Sequence, residues 1–282
     1  MYRAKIPILA VALTLTPGFS GAMDEGFYIG LSASVENLDA TFSKTTDNTH
    51  PSNGTPSMGR IFHNRDSDSK TASGFGIVAG YQSPLHYGSL YWSGEVSLTY
   101  HSGKARGRLP WVQDASARAA GGADDPDWPQ SGEGWPDFWT FEKDRSHGLS
   151  FRLGGQPDFL TAALGEGSGL YVLAAVHRVK GEFTVTYEGC SADGGCLNGM
   201  EDKSYTRGAD KVDRDYTAWT FGAGMHTSVA EQMGLQVEVY HSEYDKEVFS
   251  LLDSSQEPYV EIPQEPDARE TGLRLRLLRY FQ

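Results

Sequence analysis

The chain has 282 residues, enough for one large domain, and its 24 Lys and Arg stand against 37 Asp and Glu for a formal charge of −13. That balance lacks the basic face that neutralises phosphates and argues against a nucleic-acid binder. Beyond the first 20 residues the longest unbroken apolar run is Leu170 to Val176, far short of the roughly 20 residues of a membrane-spanning helix, and two cysteines cannot build a disulfide scaffold or a four-thiolate zinc site.

Tyr2, Arg3, Ala4 and Lys5 form a short basic segment, Ile6 to Leu15 an apolar one, and Ser20-Gly21-Ala22 supplies small residues. This pattern reads as a secretory signal over residues 1–22, cleaved to leave 23–282 in an oxidising compartment.

Alternation dominates the rest of the chain. In β-strands successive side chains face opposite ways, so a period of two with one apolar face marks a strand between two different environments. Phe27, Ile29, Leu31, Ala33 and Val35 oppose Tyr28, Gly30, Ser32, Ser34 and Glu36. Phe75, Ile77, Ala79 and Tyr81 oppose Gly74, Gly76, Val78, Gly80 and Gln82. Leu90, Trp92, Val96, Leu98 and Tyr100 oppose Tyr91, Ser93, Glu95, Ser97 and Thr99; Leu149, Phe151 and Leu153 oppose Ser150, Arg152 and Gly154. Over 170–188 the reading places Tyr171, Leu173, Val179, Phe183, Val185 and Tyr187 on the apolar face, against Arg178, Lys180, Glu182, Thr184 and Thr186, with the phase open where Leu170 to Val176 is apolar on both sides. Trp219, Phe221, Ala223 and Met225 oppose Thr220, Gly222 and Gly224; Leu235, Val237 and Val239 oppose Gln236, Glu238 and Tyr240. The last strand sets Leu273, Leu275, Leu277 and Phe281 against Gly272, Arg274, Arg276 and Tyr280, with Arg279 on the apolar side near the end, where it can snorkel.

The connections of these eight strands alternate: 38–70, 102–146, 189–216 and 242–268 are long, while 83–89, 156–169 and 230–234 are shorter, with room for a helical turn around Phe159 to Leu164. Even strand number with every second connection long predicts an all-β, eight-stranded antiparallel up-and-down transmembrane β-barrel with long extracellular loops. Closure is required because an open sheet edge would leave unpaired backbone groups in lipid. Whether 102–146 holds further strands stays open on the sequence alone. Phe27, Tyr81, Trp92, Tyr171 and Phe281 all fall at the short-turn end and predict an aromatic girdle at that interface.

FYIGLSAS, GFGIVAGYQ, SGEVSLTY, AWTFGAGMHTSVAEQMGLQVEVY and the final strand running to an aromatic resemble the small eight-stranded outer-membrane barrels, in particular the opacity-type and porin-like β-barrel family related to the outer membrane protein A transmembrane domain. The resemblance covers the strands and implies a Gram-negative outer-membrane protein, inserted by the barrel-assembly machinery and surrounded by outer-membrane lipid and lipopolysaccharide. Family members are mostly structural or adhesive, which makes a host or matrix ligand for the loops an expectation; some were called porins. The usual terminal aromatic is displaced by one, Phe281 being followed by Gln282.

Catalysis is not expected. His101 and Ser102, Ser146 and His147, and His241 and Ser242 are adjacent in sequence, and neighbours on a strand point to opposite faces; His226 and Ser228 share a face but lie in no known motif. No cofactor or metal is expected: Asp124, Asp125 and Asp127 could hold Ca²⁺, but clustered acids in a Gly- and Pro-rich segment read as a solvated loop. Cys190 and Cys196 flank SADGG and are expected to form a disulfide. Glu95, Arg152, Glu238, Arg274 and Arg276 face inward at similar depth, so a charge network is expected, with Glu95–Arg152 and Glu238–Arg276 pairs plugging the lumen. A structural or surface-interaction barrel is therefore the leading expectation. A small-solute channel is the alternative, and a lipid hydrolase stands third.

Overall fold

The period-two segments pair edge to edge and close on themselves. The computed structural model describes residues 25–47, 61–86, 89–109, 137–190, 205–246, 249–252 and 261–281. Among these, the strands in chain order are β1 (Gly26–Asp47), β2 (Ile61–Gln82), β3 (Leu90–Leu109), β4 (Asp137–Gly155), β5 (Gly169–Cys190), β6 (Tyr205–Ala230), β7 (Met233–Tyr244), β8 (Phe249–Leu252) and β9 (Glu261–Phe281). One helix, α1 (Asp158–Leu164), fills the connection where a helical turn is predicted. Each strand pairs antiparallel with the next, and β9 returns to β1 with Phe27 opposite Phe281. Four-residue β8 continues the line of β7 along β9, so the wall is eight strands around. No described helix is long and apolar enough to cross a membrane; the strands carry the apolar exterior.

That exterior is a belt. Phe27, Ile29, Leu31, Val35, Phe75, Ile77, Val96, Leu149, Phe151, Val172, Phe221 and Val239 are each more than half exposed. On β1 the belt runs from Phe27 to Val35, close to the 9–11 residues a tilted strand uses to cross a bilayer. Yet β1 has 22 residues and β6 has 26. The strands continue well past the belt, and there the polarity reverses. Leu38, Ala40 and Phe42 are buried while Asp39, Thr41 and Ser43 are not.

The long connections expected at 38–70, 102–146, 189–216 and 242–268 are therefore shorter than the sequence suggested. Much of each is strand, and 102–146 lengthens β3 and β4 without a new strand among its described residues. Outside the membrane the exterior is water, so an apolar-out pattern, the signal used to find the strands, stops there although the backbone stays extended.

Above the belt the cylinder also splits. β2 pairs with β3 only from Gly74–His101 down to Gln82–Ser93, and β6 with β7 only below Ala218–Tyr244. Higher up, β3, β4, β5 and β6 stay paired as one sheet, and β2, β1, β9 and β8 as another. Between them lies an apolar core of Leu38 and Phe42 against Ala105, Trp139, Phe141, Phe183, Val185 and Tyr216. The Phe42 ring sits 4.7 Å from Phe183 and 6.2 Å from Trp139. Where the β2–β3 ladder stops, side chains replace backbone acceptors: the N–H groups of Arg106 and Arg108 donate to the Asp68 and Asp66 carboxylates at 3.0 and 2.7 Å. The molecule is thus a barrel in the belt and a two-sheet sandwich above it.

The phase of β5 corrects the sequence reading. Tyr171, Leu173, Val179, Phe183 and Val185 point inward; Leu170 and Val172 face outward. Tyr171 is 3% exposed and is not part of the girdle. The polar set Arg178, Lys180, Glu182, Thr184 and Thr186 lies above the belt, where polar residues belong outside, so their polarity marked water and not lumen.

Candidate functional site: the charged lumen

Glycine and tyrosine shape the lumen first. Tyr28 lies opposite Gly80, Tyr91 opposite Gly154, Tyr171 opposite Gly224 and Tyr240 opposite Gly272. In each pair the ring occupies the space a Cβ on the glycine would need, 2.4–2.7 Å from the ring's Cζ. The glycines of these strands thus make room for rings laid flat across the neighbouring strand.

Between the rings sits an ionic layer. Arg152 reaches Glu95 at 3.0 Å and Glu238 at 3.6 Å; Arg276 reaches Glu95 at 3.4 Å and also pairs with Glu238; Arg274 reaches Glu238 at 2.9 Å. The two carboxylates are fully buried, Arg152 and Arg276 are 1% and 2% exposed, and Arg274 12%. Tyr28 and Tyr171 donate to Glu95 and Glu238 at 3.2 and 3.4 Å, and the Arg274 guanidinium lies 4.2 Å over the Tyr240 ring. All five residues singled out from the sequence meet here, cross-linked beyond two separate pairs because β3, β4, β7 and β9 bring them to one level of a narrow tube.

A second polar layer lies just above the belt. Lys143 of β4 donates to Glu36 at 3.0 Å and also binds Glu270. Glu36 further accepts from Tyr240 at 2.8 Å, and Glu270 from Tyr244 at 2.8 Å. His101 Nδ1 lies 2.9 Å from Glu36 Oε1, and its Nε2 2.8 Å from Ser146 Oγ. Burial opposes charge on Glu36, but the His101 hydrogen bond and the Lys143 ammonium outweigh it and hold the carboxyl well below the usual carboxylate range. Burial pushes the His101 imidazole down from its ordinary value. A neutral ring beside an ionised Glu36 carries its proton on Nδ1, so Ser146 donates to Nε2. Across the two layers four carboxylates (Glu36, Glu95, Glu238 and Glu270) face four cations (Lys143, Arg152, Arg274 and Arg276).

The sequence pattern did not reveal this second layer. Lys143, Ser146 and Glu270 fall in or beside stretches that read as loops, and only Glu36, ending the polar face of the first strand, signalled it. Of the adjacent Ser and His pairs, none pairs internally; His101 finds Ser146 from another strand. His226 is fully buried 6.0 Å from the Tyr91 ring and makes no hydrogen bond among the described residues.

The girdle retains Phe27, Tyr81, Trp92 and Phe281. Phe27, Tyr81, Trp92 and Phe151 form a chain of rings with centroids 5.2, 5.6 and 6.3 Å apart. A second band at the opposite edge, Phe75, Tyr100 and Trp219, each more than half exposed, was not anticipated. Cys190 ends β5, but its side chain and all of Cys196 lie outside the described residues, as do Asp124, Asp125 and Asp127. Among the described residues no group of His, Cys, Asp and Glu could hold a metal ion.

No protein-family model matches the chain, and no curated protein matches it in sequence. Solved structures do resemble it. The attachment invasion locus protein Ail of Yersinia pestis, solved with a heparin analogue, has 11% identity over 86% of this chain and 98% of its own, with a TM-score of 0.26. Neisserial surface protein A has 9% identity over 86% and 97%, TM-score 0.27. The outer membrane protease OmpT of Escherichia coli has 10% identity over 93% and 99%, TM-score 0.39. Likenesses this distant carry nothing about function. The chain's own strand pairing, closure and apolar belt define it as an eight-stranded, antiparallel up-and-down β-barrel of the outer-membrane type.

Proposed function

We propose that this protein is a non-conducting barrel of the bacterial outer membrane whose lumen is plugged by the Glu95–Arg152–Glu238–Arg274–Arg276 network, and which holds a rigid extracellular sandwich and its loops at the cell surface for contact with a host or matrix ligand. The observation that carries the reading is the lumen itself. Two charged layers span the tube, and an apolar core closes it above. A conducting path needs continuous water, whereas these side chains are cross-linked by ion pairs across the tube, with Nε and Nη1 of Arg152 and Nε of Arg276 left without a hydrogen-bond partner among the described residues.

Residues 1–22 act as the export signal and the barrel-assembly machinery inserts the mature chain. Cys190 and Cys196 bond in the oxidising compartment, which thiol labelling of the denatured, unreduced protein tests: two labels per chain would exclude the bond. Wild-type protein in a planar bilayer should give no steady conductance. Regular single-channel currents would move the assignment to the small-solute channel.

A second reading, lipid hydrolysis, is favoured by one observation. Glu36, His101 and Ser146 are hydrogen-bonded in the order carboxylate, imidazole, hydroxyl, the connectivity that activates a serine nucleophile. Against it, the serine is buried between the ionic layer and the apolar core. Incubation with a fluorophosphonate decides: a covalent adduct on Ser146, lost in His101→Ala, would establish a reactive serine, and an unlabelled folded protein removes this reading.

A further inference from the structure

We infer that the outer face of β4 and β5, at the extracellular edge of the apolar belt, is a binding site for the phosphates of an outer-leaflet glycolipid of the lipid A type. This rests on the reading of the chain as an outer-membrane barrel. Three cations, Arg145, Arg178 and Lys180, stand together there with His147. Arg145 lies opposite Lys180 and His147 opposite Arg178 across one strand pair, all outward-facing. The last belt residues beneath them are Leu149 and Val176, so the four occupy the next two outward positions on each strand. At about 3.3 Å per residue and a tilt near 40°, that is roughly 5 and 10 Å beyond the apolar edge, where lipid headgroups sit.

Two features mark this patch. The first is pairing. Lys104 is held by Glu142, Lys211 by Glu182, Lys246 by Asp267 and Arg269 by Asp39, while Lys70 and Arg106 are exposed without a carboxylate at ion-pair distance among the described residues. Among the described residues Arg145, Arg178 and Lys180 have no carboxylate within ion-pair distance, although Asp144 and Asp215 flank them; Arg178 donates only to the Thr217 hydroxyl, at 2.7 Å. The second is placement. The opposite wall at the same height presents Asn37, Thr71, Ser73 and Thr271, and one step higher Arg269, which is paired with Asp39. In a chain of net charge −13, three cations without an ion pair among the described residues gather on one side, at headgroup depth, between the interfacial rings Tyr100 and Trp219. Arginine's planar fork suits phosphate oxygens, and the neighbouring rings anchor the sugar and acyl boundary. The extracellular leaflet of such a membrane offers phosphorylated glycolipid, which decides the source.

The test is binding of bis-phosphorylated lipid A, the same glycolipid stripped of phosphate, and phosphatidylglycerol to the folded barrel in neutral detergent. Heat-modifiable gel migration of every variant first establishes that the barrel is intact, so a failure of the outer-membrane reading is seen separately from a failure of this site. Each cation near a membrane surface contributes about fivefold in affinity. Arg145→Ala, Arg178→Ala and Lys180→Ala together should weaken lipid A binding roughly 100-fold, each alone roughly fivefold, and Arg269→Ala on the far wall should leave it unchanged. Removing the phosphates should weaken binding to the wild type as much as the triple substitution does. Equal binding by folded wild type and triple variant, or phosphatidylglycerol bound as tightly as lipid A, overturns the proposal.

Discussion

The belt and the sandwich above it are built from the same strands with opposite polarity. In the belt, Phe27, Ile29, Leu31 and Val35 face out while Ser32, Ser34, Glu95 and Arg152 are buried. Above it, Lys104 and Glu142 face out while Phe42, Trp139, Phe141 and Phe183 are buried. Nothing in the backbone requires this, since β1 runs through both halves without a break in its register with β2. What changes is the outside solvent. In lipid the exterior is satisfied by apolar groups, and an interior too narrow for bulk water is filled by charges that must find one another. In water the order reverses, and burial of aromatic area holds the two sheets together. The belt is thus stabilised by enclosure and ion pairing, the upper half by an ordinary apolar core.

Substitutions placed in each half should separate these two kinds of stability. The largest effect is expected for Glu238→Ala, which leaves Arg152, Arg274 and Arg276 facing Glu95 alone. Breaking a buried network in this way costs about 3–5 kcal/mol. Urea unfolding in lipid vesicles should show it, and bilayer recordings should detect ion leakage; an unchanged midpoint would mean that the belt does not depend on its charges. Phe42→Ala removes the ring between Trp139 and Phe183 and should cost about 3 kcal/mol, confined to the upper half. External protease should then trim the sandwich and leave a protected, still heat-modifiable belt. If the whole barrel unfolds together, the two halves form one cooperative unit.

Gly80→Ala places a methyl where the Tyr28 ring lies and should cost about 1–3 kcal/mol in the belt alone, while Gly94→Ala, whose new methyl meets nothing nearby, should be tolerated. The smallest effect is that of pH on the layer joining the halves. Glu36 is held below its ordinary value of about 4.5, so its contribution is present above that pH and lost as pH falls toward the folded value. His101 is held below about 6.5; the unfolded chain binds its proton first, so stability again falls with acidification, beginning near pH 6.5. Both groups act in the same direction. The unfolding midpoint of the upper half should begin to drop below about pH 6.5 and fall further below about pH 4.5, and Glu36→Gln with His101→Asn should flatten that dependence.

The belt was legible because each of its strands alternates between lipid and an enclosed polar interior, and the two faces differ strongly in composition. Phe27 to Val35 and Leu273 to Phe281 could be phased residue by residue, and the inward charges followed from the phase. β5 resisted because Leu170 to Val176 is apolar on both faces. Tyr171 was misassigned because the next clear alternation, from Arg178 onward, already lay in water. Leu38, Ala40 and Phe42 alternate as regularly as the belt does, but among polar neighbours they read as a loop.

By itself the sequence determined where strands cross the membrane, which face meets lipid on every strand but β5, and which charges the lumen within the belt must accommodate. These are properties of a strand and its surroundings, and a period of two reports them locally. Only the tertiary structure decided that three arginines share two glutamates, that His101 joins Glu36 to Ser146, that tyrosines lie over glycines of the next strand, and that the barrel opens into two sheets. Each of these depends on register between segments distant in the chain. Periodicity shows that the two faces of a strand differ; which face is inside depends on the solvent beyond it and on the neighbours that enclose it.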